Sequence, residues 1–182
     1  NNISVTATAP ANPIVTITAN PATPICAGED VIFTAVPVNG GTNPSYLWQI
    51  NGINIGTNSN TLITSSLTNG SKVRVILTSN SVCATTPKDT SNEVIITVDP
   101  ILKPTITINT TAVFPLCLGS TATFVSTPVN GGTIPVYQWQ INGVAQAATG
   151  STFTPASLVR GDIIRVRLTS NARCAAPATA LS

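Results

Sequence analysis

The sequence predicts an all-β chain made of two copies of one sandwich unit, and three observations carry that prediction. First, the chain repeats itself at a constant offset of 91: Cys26 falls on Cys117, Trp48 on Trp139, Gly70 on Gly161, Arg74 on Arg165 and Cys83 on Cys174. Residues 13–91 and 104–182 share about 33 identities over 79 ungapped positions, so the unit was duplicated and is one folding module. Second, Thr, Val, Ile, Asn, Ser, Pro and Gly dominate, a strand-and-turn composition, and nothing reads as a helix. Third, short strand-like runs recur roughly every 8–15 residues between turn signals, as in sandwiches and barrels.

In the first unit the strands are expected at 14–19 (A), 30–36 (B), 46–50 (C), 53–55 (C′), 60–65 (E), 72–79 (F) and 93–98 (G). Between C and C′, Ile50-Asn51-Gly52-Ile53 is a two-residue hairpin signal, because Asn-Gly accepts the positive φ of a type I′ turn. Ile141-Asn142-Gly143-Val144 repeats it. Alternation identifies the buried faces. In strand F, Val73, Val75 and Leu77 point one way, with Lys72, Arg74 and Thr78 opposite. In the second unit Ile164, Val166 and Leu168 point inward, with Arg165 and Arg167 outward. In strand C, Tyr46, Trp48 and Ile50 share a face. One Trp per unit on strand C, facing an aliphatic strand F, is the core pattern of immunoglobulin-like sandwiches. The predicted fold class is therefore all-β, tandem immunoglobulin-like β-sandwiches, with Trp48 and Trp139 as core anchors.

The offset also places the ends. Asn1 to Thr6 falls on Asn92 to Thr97, and Ser182 falls on Ser91. Residues 1–12 are thus expected to hold the last strand of a preceding or neighbouring unit plus a Pro-rich linker. Domain 1 is expected at 13–99, a linker at 100–103, and domain 2 at 104–182 without its own last strand. The chain opens without Met or a signal peptide, and is expected to be a processed product or an internal slice. Both linkers carry two Pro, Pro10 and Pro13 in one and Pro100 and Pro104 flanking the other, so semi-rigid spacers are expected.

Ile25-Cys26-Ala27-Gly28, Pro37-Val38-Asn39-Gly40-Gly41-Thr42, Tyr46-Leu47-Trp48-Gln49-Ile50-Asn51-Gly52 and Leu77-Thr78-Ser79-Asn80 resemble the Ig-like, PKD-like repeats of very large surface proteins from Bacteroidota. Gliding-motility adhesins and secreted multidomain proteins of that group carry such arrays. The resemblance covers both units and implies export, surface attachment and a structural or adhesive role.

Four Cys in an apparently exported chain point to two disulfides. One pairing lies within each unit, Cys26 with Cys83 and Cys117 with Cys174. Topology argues against it. The A–B turn and the F–G turn sit at opposite poles of such a sandwich, tens of Å apart at about 3.3 Å per strand residue, and a disulfide needs Cα atoms within about 7 Å. Opposite poles meet at domain junctions, which places Cys26 with Cys174, and Cys117 with Cys83 of an adjacent copy. The junction pairing is preferred; intradomain bridges and free thiols stay open.

Net charge is +2, from 8 basic and 6 acidic side chains, and 8% of residues are charged. That leaves no electrostatic footprint for nucleic acid and no polybasic membrane patch. Mean hydropathy is +0.32, yet no apolar run approaches the roughly 18–20 residues of a membrane span. With no His, the commonest general base is missing. Glu29 and Asp30 fall on Ser120 and Thr121, and Ser71/Lys72 has no supporting motif, so no catalytic residue is expected. No cofactor or metal site is expected either. Asp89, Glu93 and Asp99 are a weak Ca candidate. Sugar stacking by Trp48 and Trp139 ranks below core packing. The Asn39-Gly40-Gly41 loop reads as turn chemistry, a junction contact or a ligand loop. An isopeptide bond is rejected, because Lys72 falls on Ile163 and Lys88 on Thr179.

The expected function is a non-catalytic structural unit of an extracellular filament or cell-surface stalk. Copies join head-to-tail, and the last strand of domain 2 comes from Asn2, Ile3, Ser4, Val5, Thr6 and Ala7 of the next copy, by donation or through a continuous chain. The alternatives are a glycan- or protein-binding adhesin array and a spacer module of a secreted hydrolase.

Overall fold

The computed structural model describes residues 3–5, 9–117 and 120–182, and the chain divides into two compact units, residues 1–99 and 100–182. Unit 1 holds β1 (Ile14–Asn20), β2 (Ile25–Cys26), β3 (Val31–Val38), β4 (Ser45–Ile50), β5 (Ile53–Ile55), β6 (Thr61–Thr64), β7 (Lys72–Thr78), β8 (Lys88–Thr90), β9 (Val94–Ile95) and β10 (Val98–Asp99). One sheet has the order β1-β3-β6. The other runs β5-β4-β7-β8, with β9 also on β7, and β10 pairs in parallel with β2.

Period-two alternation builds the core. Val15 and Ile17 of β1, Val31, Phe33 and Ala35 of β3, Trp48 of β4 and Val73, Val75 and Leu77 of β7 are all buried. Their strand neighbours Thr16, Thr18, Ile32 and Val36 face out. Trp48 is fully buried, lies tilted against Phe33 with ring centroids 6.3 Å apart, and donates its indole N–H to Ser59 O at 2.8 Å. The turn between β4 and β5 has φ of 52° at Asn51 and 81° at Gly52, the type I′ hairpin its sequence predicts.

The last strand of unit 1 departs from expectation. It begins at Lys88 rather than 93, and is broken into β8, β9 and β10. Between the pairs Ile76–Thr90 and Val73–Val94, its side carries one residue more than β7, a β-bulge. Ser91 fills the bulge, accepting from Val75 N at 3.0 Å. Asp89 and Asn92 then face the open edge of β1. Asp89 Oδ2 accepts from Val15 N at 2.7 Å and Asn92 Oδ1 from Ile17 N at 2.8 Å. These polar residues satisfy the edge of β1, and so broke the apolar alternation that sequence reading relies on. Beyond the bulge, Ile96 is fully buried.

Unit 2 holds β11 (Thr105–Thr110), β12 (Phe124–Val129), β13 (Val136–Ile141), β14 (Val144–Ala145), β15 (Thr152–Phe153), β16 (Ile164–Thr169) and β17 (Thr179–Leu181). Its sheets are β11-β12-β15 and β14-β13-β16-β17. Trp139 is fully buried, stacks on Phe153 at 5.4 Å and donates to Gly150 O at 2.8 Å. Strand β17 is the counterpart of β8 and pairs with β16. Ser182 Oγ accepts from Val166 N at 3.0 Å, as Ser91 does from Val75. β17 corresponds to β8, which precedes the segment 93–98 expected as strand G, so the edge strand of this sheet starts earlier than alternation suggested.

The segments expected as linkers are docked parts of the units they precede. Ala11 N donates to Cys83 O at 3.3 Å and Leu102 N to Cys174 O at 2.9 Å. Asn39 Nδ2 donates to Asn12 O at 3.1 Å and Asn130 Nδ2 to Lys103 O at 3.0 Å. The same two contacts recur one period apart.

Replacing Ile96 by Ala is expected to destabilise unit 1 by about 2–5 kcal/mol, the usual range for truncating a buried aliphatic. Amide hydrogen exchange checks this: protection should fall at Val73 and Val75 of β7, and stay unchanged at Val166 and Leu168 of β16.

Candidate functional site

The most strongly repeated part of the chain is one pole of each unit. There the turn after β3, Asn39-Gly40-Gly41-Thr42, meets the turn after β7, Ser79-Asn80-Ser81. Asn80 N donates to Gly40 O at 3.2 Å. Asn80 Oδ1 accepts from Asn43 N at 3.0 Å, and Asn80 Nδ2 donates to Thr42 Oγ1 at 3.2 Å. Ser79 Oγ donates to Asn39 O at 3.0 Å. Gly41 has φ of 84°, and a Cβ there would collide with Asn80 Oδ1. Unit 2 reproduces the latch. Asn171 Oδ1 accepts from Ile134 N at 3.0 Å, Ser170 Oγ donates to Asn130 O at 2.6 Å, and Gly132 has φ of 84° against Asn171. The Asn-Gly-Gly loop is therefore held by turn chemistry. Its partners Ser79 and Asn80 were missed as a site, although the repeat of Thr78-Ser79-Asn80 as Thr169-Ser170-Asn171 was a visible signal.

The linker enters at this pole. Asn12 Oδ1 accepts from Thr85 N, Thr85 Oγ1 and Thr86 N, each at 3.0 Å. Cys83 and Cys174 therefore lie where each incoming linker is gripped. Cys26 and Cys117 lie on the turn after the first strand of their units. In unit 1 that turn is closed by Glu29, whose N donates to Cys26 O at 3.0 Å and whose Oε2 accepts from Cys26 N at 2.8 Å. Cys26 and Cys174 are disulfide-bonded, whereas Cys83 and Cys117 are free. Neither unit closes a bond between its own two cysteines, and the intradomain alternative fails.

The opposite end of unit 1 shows what residues 92–99 do. Val94 and Ile95 pair with Val73 and Lys72. Ile96 N donates to Ser71 O at 2.9 Å, and Gly70 N to Ile96 O at 2.8 Å. Val98 and Asp99 then pair with Ile25 and Cys26. In unit 2 the counterparts of Ile25, Leu67 and Val73, which share a core cluster with Ile96, are Leu116, Leu158 and Ile164, and these are only partly buried. Of the residues expected to donate a strand, Ile3, Ser4 and Val5 are exposed and outside any strand. Asn2, Thr6 and Ala7 lie outside the described residues.

The remaining candidates have structural surroundings. Asp89 serves β1, and Glu93 pairs with Lys72 at 3.2 Å on an exposed surface, so the candidate Ca ligands do not converge. Among the described residues no three Cys, Asp or Glu gather as a metal site. The Asp162 carboxyl is held below the usual carboxylate range, first by the backbone hydrogen bond from Val159, then by the side chain of Asn142. Charge is split unevenly between the units. Unit 1 has three basic and five acidic residues, net −2; unit 2 has five basic and one acidic, net +4.

No protein-family model matches the chain, and no curated protein matches it. Among solved structures it is similar to the three N-terminal domains of the bacteriophage RB49 Highly Immunogenic Outer Capsid protein (Hoc), at 14% identity over 92% of this chain and 56% of that one, TM-score 0.44. It is similar to the fibronectin(III)-like modules of Clostridium thermocellum CbhA, at 16% identity over 87% and 86%, TM-score 0.38. It is also similar to the four N-terminal Ig domains of Dscam1 isoform 6.9, at 17% identity over 92% and 45%, TM-score 0.33. The chain spans about half the length of the Hoc and Dscam1 chains. The strand order itself assigns the class: the chain is all-β, a tandem pair of immunoglobulin-like β-sandwiches. Domains of this architecture are common modules of cell surfaces.

Two predictions follow from the latch and the turn. Gly41→Ala should destabilise unit 1 more than Gly52→Ala, read as urea midpoints. Both lose about 1–2 kcal/mol for an L side chain at positive φ, but a Cβ on Gly52 meets nothing within 4 Å. A carboxyl whose folded pKa is depressed stabilises above its unfolded pKa, and that contribution is lost as pH falls through the folded value. The turn of Asp162 should therefore loosen in acid, seen by amide exchange at Val159, while the matching turn of unit 1 does not change, because Ser71 stands there.

Proposed function

We propose that this chain is a structural unit of an extracellular filament or cell-surface stalk, of the kind built by Ig-like repeat arrays of Bacteroidota surface proteins, and that it performs no catalysis. The observation that carries the reading is the role of residues 92–99 in unit 1 beside the sequence of residues 1–8. Offset by 91, Ile3 takes the place of Val94, Ser4 that of Ile95 and Val5 that of Ile96. Ile3 and Val5 are 88% and 85% exposed, and burying such a side chain is worth about 1.5–3 kcal/mol. In the same register Ile3 would lie opposite Ile164, Ser4 opposite Ile163, and Val5 would enter the core beside Leu116 and Leu158.

Residues 2–7 of the next copy therefore complete the last strand of unit 2, as a donated strand or through a continuous backbone. The junction is head-to-tail and does not close on itself, so it propagates a fibre. In this reading Cys117 faces Cys83 of the neighbouring copy at the same junction. Net charges of −2 and +4 favour contact of unlike units over like ones, so assembly should slow as salt rises.

The strand is tested with a chain lacking residues 1–9. It should stay monomeric by light scattering, and a peptide of residues 1–9 should raise the unfolding midpoint of its unit 2 in a saturable way. The same peptide carrying Val5→Asp should not. Fibres from the shortened chain, or no shift with the native peptide, would overturn the reading.

A further inference from the structure

We propose that the outer face of the sheet β14-β13-β16-β17 in unit 2 binds an anionic polysaccharide, with Arg165 and Arg167 gripping its carboxylate or sulfate groups. The site lies wholly within unit 2 and does not depend on how the last strand is completed.

Strand pairing builds the face. Arg165 is in register with Gln140 and Arg167 with Gln138, and Gln140 is paired in turn with Ala145. Trp139, Val166 and Leu168 are buried in the core, so the residues between them point outward, and both arginines are exposed. Two residues apart on one strand, their Cα atoms are about 7 Å from each other. Neither guanidinium has a hydrogen bond or ion pair among the described residues. The acidic residue of unit 2 is Asp162, and its carboxylate already accepts from Val159 N and Asn142 Nδ2, each at 2.8 Å. Arg165 also lines, with Asn142, Gly143 and Ile163, an open cleft of about 320 Å³, at the lower end of the range of ligand sites. Unit 1 shows that the fold does not require this arrangement. Ile76 is the counterpart of Arg167, and Leu47 that of Gln138. Arg74, the counterpart of Arg165, donates through Nε to Gln49 Oε1 at 2.8 Å, and Gln49 Nε2 donates to Asn54 Oδ1 at 2.8 Å. In unit 2 Ala145 replaces Asn54 and that chain of bonds is gone. Lys72, whose counterpart is Ile163, pairs with Glu93 at 3.2 Å. On this face unit 1 partners its cations, and unit 2 presents them.

Positive charges presented side by side concentrate anions, and a planar guanidinium takes an oxyanion through two parallel hydrogen bonds. The rest of the face selects among polyanions. An extended acidic peptide draws its affinity from main-chain bonds at a sheet edge, and on a face it meets side chains alone. Single-stranded nucleic acid relies on aromatic side chains that stack its bases, and the outward positions of β13 and β16 are Val136, Gln138, Gln140, Arg165, Arg167 and Thr169, with no aromatic among them. What lies beside the cations is a set of amides and a hydroxyl, from Gln138, Gln140 and Thr169. Gln138 is held in place by donation from Nε2 to Gln146 O at 2.7 Å. Amides and hydroxyls both donate and accept, which suits the hydroxyls of a sugar ring. A uronate or sulfated polysaccharide offers oxyanions and hydroxyls together along one chain, the combination this face is equipped to meet.

The test passes the full chain over immobilised polygalacturonate, dextran sulfate and neutral dextran. Retention is expected on an anionic polysaccharide and not on neutral dextran, and it should weaken as salt rises. Polygalacturonate alone would assign the carboxylate, dextran sulfate alone the sulfate, and both together the shared oxyanion. Arg165→Gln and Arg167→Gln should each weaken binding about tenfold, the usual effect of losing a hydrogen bond to a charged group, and the double variant about a hundredfold. Arg167→Lys keeps the charge but not the two-pronged geometry, and should bind less tightly than the native chain. Lys103→Gln removes the same charge ahead of β11 in the other sheet, and Arg74→Gln removes it from unit 1; both should bind as the native chain does. All variants should keep the native unfolding midpoint, because the arginines are exposed and Ile76 serves at the counterpart of Arg167. Absence of retention on both anionic polysaccharides would overturn the proposal, as would an equal loss from Lys103→Gln. Displacement by polyglutamate or single-stranded DNA at lower charge concentration than by either polysaccharide would overturn it too, and would assign the face to an acidic protein or a nucleic acid instead.

Discussion

Strands β7 and β16 have two edges each, and the core behind them stays dry only if both are covered. A sandwich of this size has one buried Trp and a few aliphatic residues per unit to hold it together, so it cannot leave a flank open to water. One edge is covered by the strand bearing Trp48 or Trp139. The other depends on a last strand that arrives in pieces. In unit 1 those pieces do three things at once. They pair with β7, they reach across with Asp89 and Asn92 to the open edge of β1, and they bury Ile96. The bulge at Ser91 lies between β8 and β9, which both stay on β7, and Ser91 exchanges hydrogen bonds with Val75 there, through its backbone N and its Oγ.

The latch at the other pole answers a different need. The turns after β3 and β7 each expose backbone groups that the sheets do not satisfy. Asn80 and Asn171 each accept a loop backbone N–H through Oδ1, from Asn43 and Ile134, and donate through Nδ2 to a loop hydroxyl, Thr42 Oγ1 and Thr133 Oγ1. The close approach needs Gly41 and Gly132, whose positive φ and missing Cβ leave room for the Asn oxygen. This explains why Asn-Gly-Gly-Thr and Thr-Ser-Asn are identical between units in which much of the rest has diverged. The loops are constrained by each other before any external partner is considered.

Much of this was legible in the sequence because it is local and periodic. Val73, Val75 and Leu77 alternate, Asn51-Gly52 dictates its turn, and the Trp pair marks the centre of each unit. What escaped was non-local. Lys88 to Thr90 is short and mostly polar, and reads as a strand only once β7 is known to lie beside it. Ile25–Cys26 and Val98–Asp99 are two-residue pairings that no alternation can reveal. Of the site, the sequence placed Cys26 and Cys83 at opposite poles through topology alone. It could not show that Asn12 and Asn80 organise the pole around Cys83, because that depends on hydrogen bonds between turns distant in sequence.

The proposed role as a stalk would require the chain to transmit tension, and the way each segment is held bears on that. Force entering unit 1 through residues 9–12 meets hydrogen bonds from Ala11 to Cys83, Asn39 to Asn12, and Thr85 and Thr86 to Asn12. Force leaving through Asp99 meets β10 on β2 and β9 on β7. The β9–β7 pairing is antiparallel, so its ladder bonds lie across the strand direction and a pull along the strand strains them together; the β10–β2 pairing is parallel, with slanted bonds. Neither end of the unit is a Gly- or Ser-rich hinge that would yield first. The Pro-flanked segments on either side restrict their own backbone and are anchored within a few residues of the sheets. Resistance of unit 1 to extension is therefore set largely by the pairing of its last strand.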